Sequence, residues 1–241
     1  MRSIIMRFVK KNKVLFLLIK PFILFNHYFF REYFRNTRFL KNGEFVLLEA
    51  KKALDSVNIL FWLDFGTLLG VYRDGAFLPN DLDIDIGLYL DNYSIELENA
   101  MKKQGFELIK EYSIDNKKYG LEQTYMLKGV TIDLFYYTIK DDIMYSHLFH
   151  NFPDLTYTES IKVKGGFLPI EQYLPLSSFD EISFLNQKFT VPTPTDQYLS
   201  YHYGVDYKTP KSWSYYDLEN DNKNAKFLFD KLGIVSYIKN K

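Results

Sequence analysis

The sequence predicts a mixed α/β domain, on three observations. Helical and strand patterns follow one another in the order helix, strand, helix, strands, helix. Asp81–Leu90 (DLDIDIGLYL) alternates polar and apolar residues, as a strand with one buried face does. Asn58–Phe65 (NILFWLDF) is an apolar run stopped by Gly66 and reads as a buried strand. Composition agrees: 241 residues, 47% hydrophobic and 25% charged, suit a globular domain and exclude disorder as the main state. Twelve Gly and eight Pro exclude collagen-like and low-complexity chains. Zero Cys excludes a disulfide framework, a thiol nucleophile and Cys-ligated zinc.

The first forty residues are basic and apolar together. Val14–Ile19 is too short for a secretory signal, Lys20-Pro21 interrupts it, and no small-residue cleavage site follows. Val14–Phe30 approaches the length of a membrane span, but Lys20, Pro21, Asn26 and His27 fall inside it. The preferred reading is a helix, a break at Pro21 and a second helix. Their apolar faces would enter a headgroup region, with Lys and Arg toward anionic lipid. The alternative is two helices packed on the body of the protein.

Further on, Phe45–Val57 has helical spacing. Thr67–Tyr72 reads as a short helix or turn and Asp74-Gly75 as a turn. Tyr93–Gln104 reads as a helix ended by Gly105. Phe106–Tyr112, Gly120–Leu127 and Val130–Thr138 read as strands, the last two joined at Lys128-Gly129. Ile182–Leu185 and Lys188–Val191 suggest a hairpin across Asn186-Gln187. Thr195–Tyr203 and Asp217–Leu232 read as helices.

The net charge of zero hides a division. Residues 1–41 hold ten Lys/Arg and one acid, Glu32, a net of +9. The other 200 residues hold 20 basic and 29 acidic side chains, a net of −9. The chain therefore divides into a basic, apolar helical segment, 1–41, and an acidic domain, 42–241, with two surfaces suited to different partners.

The chemistry concentrates on Asp81, Asp83 and Asp85, which share one strand face about 7 Å apart, with Leu82, Ile84 and Ile86 on the other. Such a row repels itself. It gains sense if a divalent cation supplies the missing charge, and oxygen-only ligands favour Mg²⁺ or Mn²⁺. The competing reading is a solvated edge-strand face. Three neighbours favour the first. Gly66-Thr-Leu-Leu-Gly70 follows a buried strand, where backbone N–H groups approach phosphate, although a simple turn has the same pattern. Arg73 suits bidentate phosphate contact or an ion pair with an aspartate. Asp133, inside the apolar strand VTIDLF, would complete the carboxylate site from an adjacent strand. His147 and His150 read as surface or core residues rather than ligands. Asp64 is either a site-facing acid or a turn acid. Trp213, Tyr215 and Tyr216 suit sugar stacking, but core filling is preferred.

FGTLLGVYRDGAFLPNDLDIDIGL, residues 65–88, resembles the LicD/fukutin family of the nucleotidyltransferase fold. The shared features are the G-T-L-L-G turn, Arg73, Pro79, Asp81, Asp83 and Asp85, then Asp133. A C-terminal signature also matches: Val191-Pro192, Tyr198-Leu199, Tyr203-Gly204, Asp206 and Pro210. The resemblance covers roughly residues 45–213. Asn80-Asp81-Leu82 departs from the family's frequent Trp-Asp-Asp, and Tyr207 stands where Trp is common; both bear on the donor pocket.

The resemblance implies a nucleotidyltransferase-like mixed sheet flanked by helices. It implies transfer of a phospho-substituent, phosphocholine foremost and alditol phosphate next, from a CDP-linked donor to a sugar hydroxyl of a cell-surface glycan or lipid-linked glycan, as in lipopolysaccharide, teichoic acid or capsule synthesis. On this reading CMP is released and Mg²⁺ or Mn²⁺, as two ions, is the cofactor. Asp83 and Asp85 serve metal and donor diphosphate, and Asp133 is a metal ligand or the base. Asp81 is an outer ligand, Gly66 and Thr67 meet the donor phosphates, and Arg73 steadies leaving-group charge. Such an enzyme would sit in the cytoplasm, peripheral on the inner membrane face. Three readings compete. Nucleic acid as substrate is opposed by the −9 body, which lacks a basic track. Nucleotidyl transfer to a small molecule such as an antibiotic is opposed by the Tyr-Gly signature. An inactive membrane-bound scaffold is opposed by the presence of all three core carboxylates.

Overall fold

The computed structural model describes residues 13–79, 81–175, 178–210 and 224–237, with side chains from residue 33 onward. It opens with α1, Lys13–Asp55, a helix of 43 residues and about 65 Å. No break occurs at Pro21, contrary to the two-helix expectation. A proline removes one helical hydrogen bond and crowds the carbonyl four residues back; two turns precede Pro21 and many follow, and one lost bond does not end the helix. Position 41 lies within it. Phe39, Val46, Leu47, Ala50, Ala53 and Leu54 recur at helical spacing and are buried, so the carboxyl half of α1 is a core helix. Among the described residues no helix is long and apolar enough to cross a membrane.

After α1 come β1 (Phe61–Leu63), α2 (Phe65–Asp74), β2 (Asp83–Tyr89) and a 3₁₀ turn at Leu90–Asn92. Then follow α3 (Ile95–Lys103), β3 (Glu107–Ile114), β4 (Gly120–Leu127), β5 (Val130–Lys140) and β6 (Ile143–His150). A short α4 (Tyr157–Glu159) runs into a π turn at Ser160–Lys164, before β7 (Leu168–Pro175). The hairpin β8 (Ser178–Phe184) and β9 (Gln187–Thr193), α5 (Thr195–Tyr203), β10 (Ala225–Phe227) and β11 (Ile234–Tyr237) complete the described chain. Ser94 caps α3 by accepting from the Leu97 N–H.

Nine strands form one sheet that branches at the long β5. Its first half lies between β4, antiparallel, and β2, parallel. Its last three residues pair with β6, which leads on to β7 and β10. β1 extends the sheet beyond β2, and β3 and β11 extend it beyond β4. The separate β8–β9 hairpin packs Phe179 on Trp62 of β1, ring centroids 5.0 Å apart.

The expected helix at Asp217–Leu232 is corrected where the structure describes it. Ala225–Phe227 is a strand paired with Ile170–Gln172, and the Tyr173 N–H donates to the Asn224 carbonyl. An open sheet edge captured a segment whose local pattern was helical. Residues 217–223 lie outside the described residues, as do Trp213, Tyr215 and Tyr216.

Candidate active site

The site begins at the sharp turn from β1 into α2. Asp64 caps α2: its carboxylate accepts from the Phe65 N–H at 2.9 Å, the Tyr137 hydroxyl at 2.6 Å and the Tyr198 hydroxyl at 2.9 Å. It is fully buried, and burial pushes it up to about 6 against the pull of those donors. Asp64 is thus the turn acid, hidden from solvent, and Tyr198 of the C-terminal signature serves it. The turn takes Phe65 to φ 37°, a left-handed conformation that a large side chain rarely adopts.

That turn is tied to β2 at Asp85. The Asp64 N–H donates to the Asp85 carbonyl at 3.1 Å, and the Gly66 N–H to Asp85 Oδ2 at 3.0 Å. The Asp85 N–H donates to Thr67 Oγ1 at 2.9 Å. A Cβ on Gly66 would stand 2.7 Å from Asp81 Oδ2, so a larger residue would have to displace that carboxylate. Gly66 therefore sits against the acids. Thr67 faces inward, fully buried, with its hydroxyl spent on the backbone of β2.

Asp83 and Asp85 open β2, and Asp133 stands opposite Asp85 in the parallel pairing with β5. Asp81 precedes the strand, which starts at Asp83 rather than at Asp81; its N–H donates to the Leu78 carbonyl in a turn that brings it back toward Gly66. All four carboxylates line one cleft of about 1710 Å³. Burial, then Asp83's charge, raise Asp81 to about 8. Burial and its acidic neighbours push Asp85 well above the usual carboxylate range. Asp133 rises to about 6 through burial and Asp83.

The cleft also holds groups that the sequence did not single out. Lys110 and Tyr112 of β3 and Glu122 of β4 line it; Lys110 is in register with Thr124, and Thr124 with Asp133. A bulge between Leu108 and Lys110 interrupts the β3–β4 register beside Lys110. Glu122 rises to about 8 through burial and the charge of Asp133. Alternation along three strands was the available signal, but it needs the register, which one chain does not reveal. A basic side chain from α1 approaches the acids: Arg35 Nη2 lies 4.0 Å from Asp83 Oδ2.

Arg73 lines the cleft, but its fork grips Asp74, at 2.9 and 2.6 Å, and donates to the Tyr207 carbonyl at 3.4 Å. The sequence offered an ion pair with one of the strand aspartates as an alternative; the partner is instead Asp74, the adjacent acid. Tyr203, Asp206 and Pro210 of the C-terminal signature form part of the cleft's wall, together with Tyr207. Asp196 of α5 binds that wall to α2, accepting from Tyr207, from Tyr72 at 2.8 Å and from Lys208 at 2.7 Å. His147 is a buried core residue 3.3 Å from Glu171, and His150 borders the cleft.

The donor set fits a hard divalent cation. Asp81 Oδ2 and Asp133 Oδ1 are buried without a hydrogen-bond partner, and every candidate ligand is oxygen. Among the described residues no three acid or histidine side chains stand together in ligating positions.

Comparison with known proteins gives this geometry a lineage. A family model described as LicD/FKTN/FKRP, nucleotidyltransferase domain, matches residues 58–193. Ribitol-5-phosphate transferase FKTN of Homo sapiens is 26% identical over 179 residues, 73% of this chain and 36% of that protein. Its Mus musculus counterpart is 27% identical over the same shares. Ribitol 5-phosphate transferase FKRP of Homo sapiens is 41% identical over 39 residues, 16% of this chain and 8% of that protein. The chain thus spans about a third of the length of the FKTN relatives. The matched segment carries the α2 turn, the β2 aspartates and Asp133, and the chain belongs to the LicD/FKTN/FKRP family of nucleotidyltransferase domains.

Proposed function

We propose that this chain is a metal-dependent transferase that moves a phosphate-bearing substituent from a CDP-linked donor to a hydroxyl of a glycan. The carrying observation is the set Asp81, Asp83, Asp85 and Asp133, brought from a loop and two strands into one cleft beside the amino end of α2, with two buried oxygens unpartnered. Bound Mg²⁺ or Mn²⁺ would neutralise charge on the transferred phosphoryl group and its leaving oxygen. Asp83 and Asp85 would hold the cation and Asp81 would support it from outside. Asp133 would ligate it or take the acceptor proton. Gly66 gives the donor close access to the α2 turn. Arg73 would meet phosphate only by exchanging Asp74 for it. Thr67 acts by holding the turn to β2.

The relatives named as ribitol-5-phosphate transferases favour alditol phosphate over phosphocholine as the substituent. The cleft exceeds the about 300–1,000 Å³ of a usual single-ligand pocket, which suits a donor and an acceptor together. The test is incubation with Mg²⁺ and CDP-ribitol, CDP-glycerol or CDP-choline, following CMP. CMP release from a CDP-alditol, abolished by chelation, is the expected result. No CMP from any of these donors with any divalent ion would overturn the proposal.

A further inference from the structure

Asp85, Asp133, Thr124 and Lys110 lie in one row across the sheet, each in register with the next on β2, β5, β4 and β3. Residues opposite one another share a face, so Lys110 stands on the face of the acids, its backbone roughly 10 Å from that of Asp133 by strand spacing. A regular β3 would have turned it away. Leu108 pairs with Tyr125 and Lys110 with Thr124, so two steps along β3 match one along β4. Without that bulge Ile109 would stand opposite Thr124, and Lys110 would go to the other face. With it, Lys110 and Tyr112 both line the cleft.

Tyr112 supports the lysine. Its ring is buried, stacks on Phe149 at 4.8 Å and meets Phe167 edge-on at 5.4 Å, and Lys110 Nζ lies 4.7 Å from its centroid. A ring face retains a partly exposed ammonium only weakly. Among the described residues Lys110 makes no ion pair, although its charge reaches Asp133 and Glu122 and holds both down. Arg73, the other Lys or Arg among the described residues that line the cleft, is occupied by Asp74. An unpaired ammonium on a flexible stem, with three rotatable donors, suits a phosphate oxygen. We propose that Lys110 is a phosphate-binding residue of the cleft: it leaves the Tyr112 ring to meet the diphosphate of a nucleotide donor held at the neighbouring acids. The proposal rests on the functional reading above, and it gives the β3 bulge a use, that of aiming this side chain.

The test is calorimetric titration of the full chain with Mn²⁺ alone, then with CDP in saturating Mn²⁺, with melting temperatures measured alongside. The proteins are wild type, Lys110→Gln, Lys110→Met, Lys110→Arg and Lys188→Gln, the last on the exposed β8–β9 hairpin. Lys110→Gln and Lys110→Met, two neutral side chains of different polarity, are expected to bind CDP about tenfold or more weakly, as loss of a charge-assisted hydrogen bond does. Both should bind Mn²⁺ at least as tightly as wild type, because a positive charge has gone from beside Asp133. Lys110→Arg should recover part of the CDP affinity, and Lys188→Gln, which removes the same charge elsewhere, should bind CDP as wild type does. CDP affinity unchanged in both neutral variants, lowered equally in Lys188→Gln, or lowered together with Mn²⁺ affinity, would overturn the role of Lys110. Failure of the wild type to bind CDP with Mn²⁺ would instead remove the functional reading itself.

Discussion

Single side chains set the pH behaviour of this protein. Asp81, ordinarily near 3.8, is pushed to about 8. Its contribution to stability is therefore complete below about 4 and is lost as pH rises through 8. Glu122 at about 8 and Asp133 at about 6 act in the same direction. His202 is opposite: burial takes it from 6.5 down to about 3, so its contribution is complete above 6.5 and is lost as pH falls toward 3. Melting temperature measured against pH in chelator should therefore peak between these limbs. Mg²⁺ should flatten the alkaline limb, and His202→Gln the acid one; an alkaline limb indifferent to Mg²⁺ would contradict the cation site. Asp85→Asn should lower transfer on the order of 10²–10³-fold, the scale of a lost transition-state charge contact. In chelator at pH 8 the same variant should melt higher than wild type, since a buried, repelled carboxylate has gone. Activity close to wild type, or a lower melting point, would refute this account of Asp85. The acids themselves were legible in the sequence, because polar residues at every second place of an aliphatic strand have few uses. Lys110 and Glu122 were not, because their place in the cleft depends on pairings between distant segments.

At the scale of elements, the junction of α2 with β2 carries most of the geometry. Gly66→Ala should destabilise by about 1–3 kcal/mol through the clash with Asp81, and should reduce transfer more than stability requires. Denaturant unfolding and a donor-turnover assay on one preparation would check it; equal turnover would show that the close approach has no functional use. The strands from Gly120 to Thr138 and the helix Thr195–Tyr203 matched their sequence patterns closely. β6 and β7 were not read. Their facing residues Ser146, His147, Glu171 and Gln172 are buried polar groups that meet across the pair, which erases the alternation a half-buried strand shows. Pro169 and Pro175 in β7 added a further false stop.

For the whole molecule, the sequence separated a +9 segment from a −9 body, and the structure shows why residue 41 is a poor place to cut. Phe39 belongs to the core and Arg35 stands 4.0 Å from Asp83, so removing residues 1–41 would disturb both the core and the surroundings of the acids. A shorter truncation, removing residues 1–30, still removes six of the ten basic side chains. It should keep the melting temperature within a few degrees and lose binding to vesicles rich in anionic lipid at low salt. Co-sedimentation with such vesicles tests this, and full retention of binding would place the lipid contact elsewhere or nowhere.

The branch of the sheet at β5 has a kinetic consequence. Asp85 and Asp133 are neighbours only through a parallel pairing, and the whole of α3, β3 and β4 intervenes between them in the chain. Local hairpins such as β3–β4 close early, whereas this pairing bears the entropy of a long loop and ends by forcing like charges together. The folding chain thus meets its strongest electrostatic opposition at a late step, and a cation that screens it would act as a folding aid before it acts in catalysis.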